Sequence, residues 1–396
     1  MKILPSAESY PAGRLFSLDL LRGLDIFFLT VFCCIMGAAH NGLGLFSEGA
    51  MEQLMHRWGL FHVIDLVMPL FIFMCGAAIP FALGRRLKDG RPTAAFWRHL
   101  GFRFVLLWVC GMIAQGQLLS LDWREISPFN NTLQTIACGY VIAALTMLIR
   151  VKWARWAMPA LLALLYAVPM AIHGDYSQGA FEQQGGHWVA TGGNLAWILE
   201  VKILDFILPA GSNVLAHRDP GYTWFATIPM FGVMTLCGMI STEILVAAGK
   251  PKVRKGVELL VFGAGLLGLG WALYPFIPSI KHVFTVTFTA QAMGWSVLLL
   301  AGCYFLSDVL MVRRGLGIFI LFGQFALTAY MFADTPFWQV LDAATKTAGQ
   351  GFAHLFGDGW GEFLRSLLRG AILTGILAFR YALREARAGA AAGARK

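Results

Sequence analysis

The sequence is poor in charged residues. Only 13% of its 396 residues are Asp, Glu, Lys or Arg, while 58% are hydrophobic. An average soluble domain carries about 25% charged residues. Apolar runs long enough to cross about 30 Å of hydrocarbon recur along the whole length. The composition therefore excludes an ordinary soluble domain and indicates a polytopic α-helical membrane protein, with the lipid bilayer as its first partner.

The sequence also lacks paired loop cysteines and metal-ligand spacings. All seven cysteines fall inside apolar runs. We therefore expect neither a disulfide framework nor a metal site. The net charge of +9 does not require a nucleic-acid partner, because a membrane protein concentrates Lys and Arg in its cytoplasmic loops. We see no internal repeat, so an inverted-repeat transporter gains no support.

Hydropathy predicts an all-α bundle of about ten transmembrane helices. The predicted spans are 18–39, 61–83, 101–119, 132–149, 156–172, 224–247, 257–277, 283–306, 316–333 and 363–381. With these spans, 23 of the 31 Lys and Arg residues fall on the side of the N-terminus. This bias predicts that both termini are cytoplasmic, in a bacterial cytoplasmic membrane. The predicted parts are a cytoplasmic segment (1–17), a transmembrane domain (18–381) with its outer loop (173–222), and a cytoplasmic tail (382–396).

The outer loop contains an apolar stretch at 195–211 that is interrupted by Glu200, Lys202 and Asp205. It is too short and too charged to span a bilayer, so we expect an interfacial or re-entrant helix. Trp188 and Trp197 either anchor this segment at the membrane interface or offer their faces to a sugar.

The best candidate site lies at the start of the second span. His56, Trp58, His62 and Asp65 occur within ten positions, just before an almost wholly apolar stretch. Ionisable groups at the mouth of a membrane helix are costly unless they line a cavity or have partners. His62 and Asp65 are three residues apart, which on a helix places them on one face. Either histidine is a candidate base or nucleophile, with Asp65 orienting the imidazole.

Polar residues at other span ends are weaker candidates. Asp19 and Arg22 form either a structural ion pair or, with the basic loop that contains Arg85, Arg86 and Arg91, an anion site. Asn131 and Gln134 open the fourth span and either line a cavity or bridge helices.

Six stretches, in order and spacing, resemble the heparan-α-glucosaminide N-acetyltransferase-like transmembrane acyltransferases, and the bacterial NagX type in overall size. The similarity covers nearly the whole chain from Arg14. The stretches are SLDLLRGLD, HRWGLFHVIDLVMPLFIFMCG, NNTLQTIACGY, RDPGYTWFATIP, PSIKHVFTVTF and FGQFALTAY.

The resemblance implies transfer of an acetyl group from cytoplasmic acetyl-CoA to an amino sugar or glycan on the far side of the membrane. His56 occupies the position of the family's active histidine, and Asp65 that of the motif's aspartate. Asp219 matches the Asp-Pro element and Lys281 the lysine that follows proline. Whether the imidazole carries the acetyl group or only accepts a proton stays open, as do the acting histidine, the acceptor, the acyl chain length and the oligomeric state, a homo-oligomer included.

Two other functions compete with this expectation. An O-acyltransferase of cell-surface polysaccharide would use His40 or His56 as the base for a hydroxyl acceptor. A proton-coupled transporter would use the intramembrane carboxylates and histidines as a relay.

Overall fold

The computed structural model describes residues 15–209, 211–216, 221–333 and 336–393, and these residues are mostly helical. The candidate residue Asp219 lies outside them. The α-helices are α1 (Phe16–Phe27), α2 (Cys33–Leu43), α3 (Glu48–Glu52), α4 (Val67–Leu83), α5 (Ala94–Ala114), α6 (Thr132–Thr146), α7 (Lys152–His173), α8 (Leu195–Ile207), α9 (Ile228–Val246), α10 (Lys252–Leu273), α11 (Val286–Tyr304), α12 (Gly317–Gln324), α13 (Ala326–Ala333), α14 (Pro336–Phe356) and α15 (Asp358–Gly393).

Short elements complete the description. The strands are β1 (Leu87–Lys88), β2 (Arg91–Pro92), β3 (Ala180–Gln184) and β4 (His187–Gly192), which form two antiparallel hairpins. Short 3₁₀ turns cover Val63–Leu66, Gly84–Arg86 and Leu118–Ser120, and π-helical turns cover Phe28–Phe32 and Phe305–Val309.

Among the described residues, eight helices are long and apolar enough to cross a membrane. They correspond to eight of the ten expected spans, which confirms the mostly helical fold and is consistent with a membrane protein. The other two expected spans are shorter helices. The fourth is the 15-residue α6, and the ninth divides at Phe325 into α12 and α13, each of eight residues. Hydropathy cannot detect this division, because the apolar run continues across it.

The helices belong to two compact units. The first comprises the described parts of Met1–Met55 and Leu299–Lys396, and the second is formed by His56–Leu298. In the first unit, α1 packs against α12 with very close backbone approach at Gly23, where a Cβ would overlap the carbonyl oxygen of Phe319. Asp308 in this unit accepts a hydrogen bond from Ser17 N (3.1 Å) and pairs with Arg313 (2.9 Å).

The core of the second unit is the pair α4 and α9. A Cβ at Gly76 of α4 would overlap the carbonyl oxygen of Thr235, and a Cβ at Gly238 of α9 would overlap that of Phe73. The two glycines thus let the two backbones touch, as small residues do in membrane bundles. α6 packs against both helices, and α5 packs against α6. This close packing fixes where α4 begins, and the candidate site is built at that end.

The expected outer loop contains more structure than its composition suggested. α8, the helix expected at 195–211, places Trp197, Val201 and Leu204 in a small buried core against the β3–β4 hairpin. Glu200, on the same helix, is fully buried and accepts hydrogen bonds from the backbone N–H groups of Phe225 (2.8 Å) and Ala226 (3.2 Å). The interruption of the apolar stretch by Glu200 therefore has a structural role.

Candidate functional site

The local structure around Asp65 differs from the expected helix face. His62 is extended (φ −110°, ψ 163°) and precedes the turn Val63–Leu66, so His62 and Asp65 do not share a helix. Asp65 instead folds back on the chain. Its backbone N–H donates to the His62 carbonyl (3.0 Å), and its carboxylate Oδ2 accepts from the His62 N–H (2.9 Å). The carboxylate thus caps the first turn, which fixes its position.

The second carboxylate oxygen of Asp65 binds His56. The His56 Nδ1 to Asp65 Oδ1 distance is 2.6 Å, a short charge-assisted hydrogen bond. Asp65 is fully buried, while the His56 side chain is 40% exposed. Because an ionised carboxylate only accepts, Nδ1 is the nitrogen that donates to Asp65, and Nε2 is the other ring nitrogen. The His56–Asp65 pair expected from the family resemblance is therefore present, and Asp65 also contacts His62 through the capping interactions of the first turn.

Lys281, near the C-terminal end of the second unit in sequence, completes this cluster. Its Nζ lies 3.4 Å from Asp65 Oδ1 and 3.0 Å from both Nδ1 and Nε2 of His56. The lone-pair directions of two imidazole nitrogens diverge in the ring plane, so no donor can lie along both at once. The ammonium therefore lies over the ring face, and it does not take the in-plane position at Nε2.

Lys281 is held in a tight connection between α10 and α11. The hydroxyl of Thr285 accepts from the N–H of Ile280 (3.1 Å) and donates to the carbonyl of Pro278 (2.8 Å). Lys281 is only 5% exposed. Burial lowers its pKa from 10.5 to about 8, and the nearby Asp65 carboxylate only partly offsets this. The ammonium is therefore charged at neutral pH but close to its titration.

His282 is the residue that the sequence analysis passed over. Its ring lies 4.2 Å from the ring of Tyr222 and 5.1 Å from that of Trp58, between centroids. Burial, with Lys281 and His56 beside it, lowers the pKa of His282 to about 4. It is thus neutral under ordinary conditions. Its Nδ1 is buried without a hydrogen-bond partner among the described residues. The available signal was its position next to Lys281 in PSIKHVFTVTF.

Trp58 is fixed as a wall of the site. Its Nε1 donates to the carbonyl of Tyr176 (3.2 Å). Gly221 lies directly against the ring: its φ is +97°, and a Cβ there would be 2.8 Å from Trp58. Only glycine adopts this conformation readily and leaves room for the indole. Together with Tyr222, Trp58 gives the site an aromatic wall beside His56 and His282.

Asn131 and Gln134 lie at the start of α6, where their side chains make structural hydrogen bonds. Both are fully buried. Asn131 caps α6, accepting from Leu133 N (2.7 Å), and its amide donates to Gln115 at the end of α5 (3.2 Å). Gln134 accepts from Asn130 N (2.9 Å) and donates to the carbonyl of Pro128 (2.7 Å). Their polar groups are used to close the connection between α5 and α6, in agreement with the helix-bridging alternative.

The expected cofactor-binding residues belong to other elements than the cluster. Asp19 and Arg22 belong to the first unit, where they form an i,i+3 ion pair of 3.3 Å within α1. Arg85 and Arg86 lie in the turn that follows α4, and Arg91 lies in β2. Asp65 and Arg86 are thus at opposite ends of α4, a helix of 17 residues or about 25 Å.

The cluster can accept a proton or an acyl group at His56 Nε2, with a fixed cation within reach of a developing negative charge. No group of three or more His, Cys, Asp or Glu residues in the described part of the chain is arranged to hold a metal ion. Comparison of the chain with protein-family models and with curated proteins gives no match, and the site is therefore interpreted from its own residues.

Proposed function

We propose that this protein is a membrane acyltransferase that moves an acetyl group from acetyl-CoA to an amino sugar or glycan through His56. The observation that carries the proposal is the 2.6 Å contact of the His56 imidazole with a fully buried carboxylate. Asp65 in this role fixes the tautomer and stabilises the imidazolium, as the aspartate of a Ser-His-Asp triad does.

The remaining residues have roles that follow from their positions. His56 Nε2 attacks the thioester carbonyl, the carbon–sulfur bond breaks, and the thiol leaves as thiolate; the acceptor amine then attacks the acyl carbon, its bond to Nε2 breaks, and Nε2 takes the proton that the amine releases. Alternatively, Nε2 removes a proton from the acceptor amine while that amine attacks the thioester directly, and the carbon–sulfur bond breaks with the thiol leaving as thiolate. In both cases Lys281 lies beside the carbonyl carbon and stabilises the oxyanion of the tetrahedral intermediate. The aromatic wall of Trp58 and Tyr222 offers a stacking surface for a sugar ring.

The topology is part of the same proposal. The chain crosses a bacterial cytoplasmic membrane ten times, α6 and the α12–α13 pair included, with both termini in the cytoplasm. The basic turn after α4 then faces the cytosol, and the His56 cluster faces outward. The strong excess of Lys and Arg on the side of the termini supports this orientation. Cysteine labelling from each side of the membrane in intact cells tests it.

Transfer itself is tested with purified protein, radiolabelled acetyl-CoA and an amino sugar. We expect label to move to the acceptor. His56→Ala should abolish transfer, while His187→Ala, a change at an imidazole 76% exposed in the loop, should retain it. Full transfer by His56→Ala with loss in His62→Ala would contradict the assignment of the acting histidine. Absence of transfer to amines, with transfer to hydroxyl acceptors, would instead identify an O-acyltransferase.

A proton-coupled transporter is the second candidate, because the chain also buries an unpaired carboxylate oxygen. Asp25 is 5% exposed, and its Oδ2 has no hydrogen-bond partner among the described residues. Intramembrane carboxylates of this kind occur in proton relays. Solute uptake into proteoliposomes that requires a proton gradient and no acyl donor would favour the transporter.

A further inference from the structure

Arg103 is a charged residue in the middle of the second unit. Its Nη2 donates to the Sγ of Cys75 (3.8 Å), and Cys75 is the central residue of the 17-residue α4. The guanidinium therefore lies halfway along a membrane-spanning helix. Charged groups at this depth are rare, and they usually pair with an opposite charge or line a substrate path.

Arg103 has no carboxylate partner within the described residues. Its guanidinium carbon also lies 4.9 Å from the centroid of the Tyr140 ring. Its charged neighbours are basic, since the positive charges of both Arg86 and Arg103 are felt at His99. Other arginines of this unit do pair, for example Arg155 with Glu243 at 3.1 Å. Arg103 is partly exposed, but its Nε is buried. A cation at this depth without a carboxylate partner among the described residues is a candidate binding group for an anion from outside the chain.

Three polar atoms of Arg103 and its neighbours are buried and find no hydrogen-bond partner in the described part of the chain: Arg103 Nε, His99 Nε2 and Tyr140 Oη. Tyr140 is only 1% exposed, so its hydroxyl has no access to bulk water. His99 is one helical turn from Arg103 on α5 and therefore on the same face. Unsatisfied buried polar atoms are uncommon in native proteins. All three atoms can donate a hydrogen bond to an anion that binds Arg103.

Basic residues also lie at the end of α4. Arg86 follows α4, and beyond it a cavity of about 400 Å³ is lined by Lys88, Arg91 and Arg150, with Asp89 as the acidic lining residue. Cationic side chains thus occur both at the end and at the middle of the same helix. An anion that enters at the end of α4 finds positive charge along its way to Arg103.

We propose that Arg103, Tyr140 and His99 bind a phosphate group that enters from the Arg86 end of α4. The guanidinium presents two parallel N–H donors to phosphate oxygens, and the tyrosine hydroxyl and the imidazole N–H add two more. The group belongs either to the headgroup of an anionic phospholipid or to a soluble phosphoanhydride. The inference does not depend on the transfer chemistry at His56, which lies at the other end of α4.

The binding test uses the full chain in phosphatidylcholine nanodiscs, with inorganic pyrophosphate as the soluble probe and phosphatidylglycerol as the lipid probe. We expect one of them to raise the unfolding midpoint. Arg103→Gln should weaken that probe about tenfold or more, and Tyr140→Phe about fivefold. Arg254→Gln, a change at a 69% exposed arginine paired with Glu258, should leave it unchanged. The probe that acts identifies the source. No response to either probe, or an unchanged response in Arg103→Gln, overturns the proposal.

A second variant separates binding from folding. Arg103→Met keeps the length of the side chain and removes the uncompensated charge. In ligand-free nanodiscs we expect its unfolding midpoint to equal or exceed that of the wild type, while the response to the active probe is lost. If Arg103→Met unfolds at a lower temperature than the wild type without ligand, the guanidinium is a structural element and the proposal is wrong.

Discussion

Replacement of Lys281 by methionine tests the electrostatics of the site without any assumption about the reaction. The Lys281 ammonium is 5% exposed, and burial lowers its pKa from 10.5 to about 8. Between these two pH values the unfolded chain carries a proton on this lysine and the folded chain does not. The free energy of unfolding therefore rises with pH in this window. Below it both states are protonated, and above it neither is.

The size of the effect follows from the pKa difference. Each pKa unit corresponds to about 1.4 kcal/mol, so a shift from 10.5 to about 8 gives a rise of about 3 kcal/mol across the window. In Lys281→Met this rise should be absent. Asp65 keeps its hydrogen bonds to His56 and to the His62 N–H in the variant, so the remainder of the cluster stays satisfied.

The measurement is reversible unfolding in mixed micelles at several pH values between 7 and 11. Other groups titrate equally in both proteins, so the difference between wild type and Lys281→Met isolates this one ammonium. Lys346→Met is the matched control, because Lys346 is an exposed lysine of α14 and its removal should leave the pH profile unchanged. A wild-type minus Lys281→Met difference that stays constant from pH 8 to 10.5 would refute the reasoning.

Three further predictions follow from the same geometry. Asp65→Asn should lower the rate of acetyl transfer by about 10³–10⁴-fold, because an amide no longer fixes the His56 tautomer. In the same transfer assay, the double variant of Asp65→Asn and His56→Ala should be no slower than His56→Ala alone. Additive losses of rate in the double variant would argue against a joint role of the two residues. Gly221→Ala should cost about 1–3 kcal/mol in thermal unfolding, since φ is +97° and the Cβ would meet Trp58 at 2.8 Å; an unchanged midpoint would contradict this contact. Trp197→Ala should cost about 3–5 kcal/mol in the same measurement, because Trp197 is fully buried against the β3–β4 hairpin, and a loss below 1 kcal/mol would show that this core is not required.

Much of the fold was predictable because hydropathy is a local property. Eight of the expected spans are long apolar helices, and each is visible within its own window of residues. The elements that sequence analysis missed are those that depend on neighbours. α14 is an amphipathic helix of 21 residues that a search for apolar runs leaves in a loop. The β3–β4 hairpin needs the Trp197 core of α8 to bury one of its faces.

The candidate site divides in the same way. Residue types and order alone selected His56 and Asp65, because carboxylates and imidazoles at span ends are chemically conspicuous wherever the chain later places them. Lys281 was selected only through the family resemblance. The spacing of His62 and Asp65 suggested that the two share a helix face, since residues three apart in a helix do so. In the tertiary structure Asp65 instead caps its own turn through the His62 N–H, and its other carboxylate oxygen contacts His56. Only folding brings Lys281, 225 residues away from His56, over the imidazole, because no local pattern records which distant helix end will supply a charge.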